Sequence, residues 1–112
     1  MNDMSLNNIV GRCRIWLNNK CFDGLQRYAS YRLPIFLYNF GDLQKYFVYQ
    51  EYYGKDNPIK KGKEDIASDA CIQFILFLIS LDIDVQKAFE MGLEKIENME
   101  FEKKKERKND EN

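Results

Sequence analysis

Residues 69–84 read Asp-Ala-Cys-Ile-Gln-Phe-Ile-Leu-Phe-Leu-Ile-Ser-Leu-Asp-Ile-Asp and form the most apolar stretch of the chain. Apolar side chains cover nearly every face of the helix that this stretch would form. Such a helix is central in a bundle or lies in an oligomer interface. Its apolar part, residues 70–81, is interrupted by two polar residues and is shorter than the ~20 residues that cross a membrane. The sequence therefore predicts a buried third helix over residues 63–81.

Two helices are predicted before this stretch. Ser5 is the expected N-cap of the first, whose apolar stripe comprises Leu6, Ile9, Val10, Cys13, Trp16 and Leu17. Residues 21–32 are expected to form a loop or a short helical turn. Pro34 then suits the first turn of a second helix over residues 35–53, where its missing N–H costs nothing. The apolar stripe of that helix comprises Phe36, Leu37, Phe40, Leu43 and Phe47.

A short acidic link, residues 81–84, leads to a fourth helix with Asp84 as its predicted N-cap. The expected buried stripe of this helix comprises Val85, Ala88, Phe89, Leu93 and Ile96. Residues 102–112 have mixed charge, so we expect a charged, disordered tail after a helical domain over residues 1–101. Four helices in one small chain predict an all-α four-helix bundle. The apolar surplus of its second and third helices predicts a homodimer or a homotetramer.

The charges are nearly balanced, with 17 basic and 18 acidic side chains among 112 residues. The chain therefore lacks the basic excess that is typical of general nucleic-acid binders. It contains no histidine, which excludes Ser-His-Asp and Cys-His catalysis and histidine-ligated zinc within one chain. Irregular cysteine spacing predicts no disulfide framework, and Cys13 and Cys71 are expected to be buried free thiols. With neither a signal peptide nor a membrane span predicted, we expect a cytoplasmic protein without a membrane partner.

Three aspartates are candidates for binding a divalent cation. Asp65 and Asp69 are spaced to share one face of the third helix. Asp42 lies on an apolar stretch of the second helix, where a carboxylate needs a partner, water or a cation. Mg²⁺ prefers oxygen ligands and keeps several waters, so a few carboxylates can hold it. The simpler alternative, favoured on spacing alone, is that Asp65 is merely a charge at a helix N-terminus, that Asp69 faces solvent or pairs with a lysine, and that Asp42 points outward near Lys45. The basic segment 60–63 could likewise contact phosphate or be merely solvated.

The order of these features resembles the MazG-like nucleotide pyrophosphohydrolases, an all-α superfamily that includes dimeric dUTPases and phosphoribosyl-ATP pyrophosphohydrolases. Residues 69–95 are similar to the family's aspartate, apolar helix, Gly-Ile-Asp link and amphipathic helix. Phe-Leu-Tyr-Asn-Phe-Gly-Asp-Leu at residues 36–43 resembles the family's Leu-x-Glu-Glu-x-Gly-Glu-Leu. Residues 14–22 resemble its opening helix and the following loop, so the resemblance covers about residues 5–100.

The resemblance implies a Mg²⁺ site between the second and third helices. The family's Glu-x-x-Glu pair falls on Asn39 and Asp42, and its Glu-x-x-Asp pair falls on Ile66 and Asp69. Asn39 keeps an oxygen but no charge. Ile66 cannot ligate a cation, although the neighbouring Asp65 could take its place.

The candidate substrate-binding residues are Lys95, Trp16 and Lys45. Lys95 matches a position from which the family's fourth helix contacts phosphates. Elsewhere on that helix, methionine and leucine stand where the family has basic and amide side chains. Trp16 could stack on a base, but a lone tryptophan at helical spacing is more typical of a core, and the core interpretation is favoured.

Two main functions follow as hypotheses. The resemblance implies a divergent nucleoside triphosphate pyrophosphohydrolase, which would convert an NTP or dNTP to NMP and pyrophosphate with Mg²⁺. The loss of two of the four ligand carboxylates favours a catalytically inactive protein of the same fold that binds a nucleotide or a protein partner. A purely structural helical oligomer is the third alternative.

Overall fold

The computed structural model describes residues 4–19, 24–52, 54 and 61–110, with side chains up to residue 99. The described residues form four α-helices: α1 (Leu6–Leu17), α2 (Ala29–Phe47), α3 (Lys63–Ser80) and α4 (Val85–Asp110). A 3₁₀ turn at Gly24–Arg27 precedes α2, and a π-helical turn at Val48–Tyr52 follows it. No described residue lies in a β-strand, so the predicted all-α class is confirmed.

The predicted third helix, α3, is central, because it packs against α1, α2 and α4. Its first half buries Ile66 and Ala70, whereas its second half buries Ile75, Leu76 and Ile79. Ile75 follows Ile66 by two and a half helical turns and therefore lies on the opposite face of α3. A helix that buries opposite faces along its length needs apolar residues all round, which explains the composition of residues 70–81.

The main core joins α1 to the second half of α3 and to the start of α4. Its buried members are Val10, Cys13, Leu17, Ile75, Leu76, Ile79 and Val85. The stripe predicted on α1 is therefore confirmed for Val10, Cys13 and Leu17. Trp16 is 39 % exposed, so the expectation that it belongs to the core is wrong.

Hydrogen bonds confirm both predicted N-caps. Ser5 Oγ accepts the backbone N–H of Asn8 at 3.2 Å, and Asp84 Oδ1 accepts that of Lys87 at 3.1 Å. Each bond satisfies a backbone donor that the first turn of a helix leaves without an intrahelical partner.

The link between α3 and α4 is a Schellman turn. Asp82 has a φ of 58°, in the left-handed region. The backbone N–H groups of Asp82 and Ile83 donate to the carbonyls of Ile79 at 2.9 Å and Leu78 at 3.1 Å, the pattern that ends a helix at a left-handed residue. The turn directs α4 away from α3 at 112°.

The predicted start of α2 at residue 35 is wrong, because α2 begins at Ala29 and Pro34 lies inside it. Proline lacks the N–H that would bond to the carbonyl of Ser30, so this position costs helix stability. This part of α2 nevertheless buries Arg32, whose guanidinium donates hydrogen bonds to side chains outside the helix. These tertiary contacts outweigh the preference of proline for a first turn.

The prediction that the apolar stripe of α4 is buried is wrong for a single chain. Val85 is buried, but Phe89 is 45 %, Leu93 58 % and Ile96 60 % exposed. The angle at the α3–α4 turn is the physical reason, since it takes α4 off the core after its first turns. On α2, three of the five residues of the predicted stripe are likewise exposed: Leu37, Phe40 and Phe47.

Cys13 is a buried free thiol, as predicted. Cys71 is a free thiol but is exposed, so the prediction that it is buried is wrong. Cys71 lies on α3 between the residues that face α2 and those that face α1. Cys21 lies outside the described residues. The α4 backbone continues to Asp110, and the predicted domain boundary at residue 101 stays a prediction.

No single helix in the described part of the chain is long and apolar enough to span a membrane. Residues 63–80 and 85–99 satisfy the length and composition criteria together, but only as a pair bent by 112°.

Leu76 is 3 % exposed, and its replacement should test the position of the core. Leu76→Ala is expected to lower the free energy of unfolding by about 2–5 kcal/mol, because it leaves a cavity between α1 and α3. Ile72→Ala, on the same helix but 40 % exposed, should cost under about 1 kcal/mol. Urea unfolding followed by circular dichroism measures both, and equal losses would contradict this core.

Candidate functional site

Aromatic packing holds α2 along α3. The ring centroid of Phe36 lies 5.8 Å from that of Phe40, 5.2 Å from that of Phe74 and 6.3 Å from that of Phe77. These separations are within the range of favourable aromatic pairs. The contact fixes the register of the two helices that carry Asp42 on one side and Asp65 and Asp69 on the other.

Of the three candidate aspartates, Asp69 pairs with a cation, the ammonium group of Lys61. Lys61 Nζ donates a hydrogen bond to Asp69 Oδ2 at 3.3 Å. This hydrogen bond and the charge of Asp69 raise the pKa of Lys61; the charge of Asp65 and, least, that of Asp42 add to the increase, and loss of hydration opposes it. The ammonium is therefore charged at neutral pH, and the pair weakens as the pH rises through the raised value. The chain itself thus supplies a cation to Asp69, one of the carboxylates that the sequence predicts as metal ligands.

The arrangement of these residues does not fit a resident Mg²⁺ ion, although their oxygen donors suit one. Among the residues that the structure describes, no three His, Cys, Asp or Glu side chains could hold one metal ion. Ile66 is 2 % exposed and belongs to the packed interior. Asn39 Nδ2 donates to the carbonyl of Ile35 at 2.9 Å, so this amide bonds back onto its own helix. A divalent cation would need Lys61 to leave Asp69.

The predicted substrate-binding lysines stand outside this cluster. Lys45 is exposed on α2, one turn after Asp42, and Lys95 is exposed on α4. Neither forms an ion pair with any carboxylate in the described ranges. Sequence reasoning allowed Asp69 to pair with a lysine and identified residues 60–63 as a basic segment, but it did not name Lys61 as the partner.

A second region lies between α1 and α3 and contains Trp16. It is a pocket of about 440 Å³, a size in the range of small-molecule sites. It is lined by Met4, Ile9, Arg12, Cys13, Trp16, Ile72, Gln73 and Leu76. Arg12 and Gln73 are its polar side chains, and no acidic residue is among those that line it. The pocket is therefore apolar with a positive charge.

Arg32 lies next to this pocket, and sequence reasoning missed it. The side chain is 2 % exposed. Its Nη1 donates to Gln26 Oε1 at 2.9 Å, and its Nη2 donates to Gln73 Oε1. The guanidinium carbon lies 5.6 Å from the ring centroid of Trp16, a cation–π distance. Because the sequence predicted a loop up to residue 32, no periodic signal marked this arginine as buried.

Burial leaves the charge of Arg32 poorly compensated. Loss of hydration lowers the pKa of Arg32, an effect that Tyr31 partly opposes, but arginine stays charged at neutral pH. Its Nε–H has no hydrogen-bond partner. In the described part of the chain, only amide oxygens accept from it, and no carboxylate pairs with it. A buried cation that no described carboxylate pairs with is costly, and binding of an anion would relieve that cost.

Comparison with protein-family models, with curated proteins and with solved structures finds no match to this chain. The resemblance to the MazG-like pyrophosphohydrolases therefore stays a prediction.

Removal of Lys61 should make the aspartates a better cation site. Lys61→Gln is expected to tighten Mn²⁺ binding roughly fivefold, the effect of one unit charge a few ångströms away in water. Paramagnetic relaxation of water protons measures the affinity. Lys63→Gln removes the same charge from a lysine that forms no ion pair with a described residue, and it should change the affinity much less. Equal effects would show that only net charge matters.

Proposed function

We propose that this chain is a MazG-like helical protein that binds a nucleotide and does not hydrolyse it. The observation that carries the proposal is the position of Lys61. Its ammonium pairs with Asp69 and lies near Asp65 and Asp42, where a pyrophosphohydrolase of this type would hold its divalent cation. The burial of Ile66 supports the same conclusion, because this residue occupies a ligand position of the resemblance.

Nucleotide binding is supported by the order of the helices and by the pocket between α1 and α3. Four helices follow one another as the resemblance implies, and α2 carries Asp42 beside the half of α3 that carries Asp69. The pocket between α1 and α3 offers Trp16 for stacking and Arg12 for a negative charge. An aromatic ring next to a cation is a combination that binds bases and phosphates.

The second candidate is the Mg²⁺-dependent nucleoside triphosphate pyrophosphohydrolase. It is favoured by one specific observation, that Asp69, Asp65 and Asp42 all lie close enough to Lys61 for their charges to raise its pKa. In this alternative, Lys61 holds the carboxylates together until a metal–nucleotide complex displaces it. The substrate class would be an NTP or dNTP, and the products would be NMP and pyrophosphate.

One assay separates the two candidates. We expect no pyrophosphate release above a protein-free blank when the protein is incubated with NTPs and dNTPs and with Mg²⁺ or Mn²⁺. Binding of the same nucleotides, measured by calorimetry, should persist in Asp42→Asn and Asp69→Asn. Pyrophosphate release by the wild type that is lost in Asp69→Asn, with circular dichroism unchanged, would establish the hydrolase. Glu94→Gln is the matched control, because Glu94 is exposed on α4 and forms no ion pair with a described residue.

We also propose that the chain forms a homodimer or a larger homo-oligomer through α4. The radius of gyration is 18.6 Å, against about 13 Å for a compact domain of this length. A groove of about 460 Å³ between α3 and α4 is lined only by apolar residues, including Phe74, Phe89 and Leu93. A second copy of α4 is the occupant that supplies matching apolar side chains, because this helix exposes Phe89, Leu93, Ile96 and Met99.

A charge placed on this stripe should break the oligomer. Leu93→Lys is expected to shift the sedimentation mass to that of a 13.4 kDa monomer, because burial of an unpaired lysine is costly. Asn98 lies on the opposite face of α4 by helical spacing, so Asn98→Lys should leave the mass unchanged. A wild-type protein that sediments as a monomer at high concentration would contradict the proposal.

A further inference from the structure

The buried guanidinium of Arg32 orients a glutamine at the pocket between α1 and α3. Its Nη2 donates to Gln73 Oε1, which fixes the oxygen end of that amide against Arg32. The Nε2 group of the same amide must then be directed away from Arg32, because the two ends of a planar amide lie on opposite sides. Gln73 lines the pocket, and its two N–H donors have no acceptor among the described residues. The pocket thus contains a donor group whose orientation is set by a buried positive charge.

A second cation lies on the same pocket. Arg12 is exposed on α1, and its closest polar contact is a weak one, from Nη1 to Met4 Sδ at 3.7 Å. The guanidinium of Arg12 is therefore available to a ligand. Arg32 supplies a positive charge from the interior, and none of the described side chains that line the pocket is acidic. The positive potential and the donor groups favour an anion, and the apolar lining favours a ligand whose remaining part is flat or apolar.

We propose that the pocket between α1 and α3 binds a phosphate group of the nucleotide, with Arg12 as the contacting cation and Gln73 as the contacting donor. The inference rests on the proposed nucleotide-binding function and assigns its phosphate subsite. Arg32 is a positioning residue: it orients Gln73 and contributes charge from behind it. Phosphate oxygens accept several hydrogen bonds at once, and arginine donates in pairs to such groups. The site needs no divalent cation, so it is separate from the aspartates around Lys61.

Trp16 provides the readout for the test. It is the only tryptophan in the chain, it lines the pocket, and its ring contacts the Arg32 guanidinium. Its fluorescence therefore reports on occupancy of this pocket. The titration is made in EDTA with the full chain, using a nucleoside triphosphate, the corresponding nucleoside and inorganic pyrophosphate as probes. We expect a saturable change with the triphosphate and with pyrophosphate, and none with the nucleoside at the same concentrations.

Two variants test the assigned contacts without removal of the buried arginine. Arg12→Gln and Gln73→Leu should each weaken triphosphate binding about tenfold, the scale of a hydrogen bond to a charged group. Arg14→Gln is the matched control, because Arg14 lies on the same helix and outside this pocket. It should bind as the wild type does. Gln73→Glu, which places a carboxylate at the pocket and beside Arg32, should abolish binding and leave the helical circular dichroism intact.

The outcomes separate this inference from the function on which it rests. Triphosphate binding that is unchanged in both Arg12→Gln and Gln73→Leu would overturn the assignment of the pocket and leave nucleotide binding standing. A response to pyrophosphate without any to nucleotides would keep the phosphate subsite and overturn the nucleotide function. No response to any probe, with or without Mg²⁺ and also by calorimetry, would overturn both.

Discussion

Burial of α3 is the constraint on which the rest of the molecule depends. Because its two halves bury opposite faces, α3 cannot lie at the edge of a bundle and needs neighbours on both sides. The first half packs against α2 through the aromatic contacts of Phe36, and the second half packs against α1 and the start of α4. Both candidate regions follow from this placement. The aspartate cluster lies where α2 meets the first half of α3, and the pocket lies where α1 meets the following turns.

The two candidate regions differ in how the charge of their basic side chain is compensated. The ammonium of Lys61 is paired with Asp69 in a partly exposed setting, where water screens the interaction and the pair contributes little to stability. The guanidinium of Arg32 is withdrawn from water and, among the described residues, donates only to amide oxygens. A side chain that costs stability in this way is typical of a functional site, where binding supplies what folding left unsatisfied. In the first region the chain supplies its own cation, whereas in the second no described carboxylate pairs with the cation.

Several elements could be predicted because their signals are local. The bounds of α3, the caps at Ser5 and Asp84 and the buried half of the α1 stripe depend on residues within one or two turns. The candidate site could be predicted only in part. Helical spacing related Asp65 to Asp69, but the partner of Asp69 comes from the segment before α3. The start of α2 was misplaced, because a proline signal is local whereas the contacts that hold Arg32 come from residues far along the chain.

The sequence by itself determined the helical class, most helix ends and the identity of the central helix. Apolar spacing, capping residues and the left-handed turn at Asp82 act over short distances, and their physics is contained in the local sequence. The tertiary structure alone decided which apolar faces are covered and which charges meet. It left the stripe of α4 open, turned Asn39 onto its own helix, set Lys61 among the aspartates and buried Arg32 beside Trp16. These outcomes depend on crossing angles and on distances between separate helices, which no periodicity along one chain encodes.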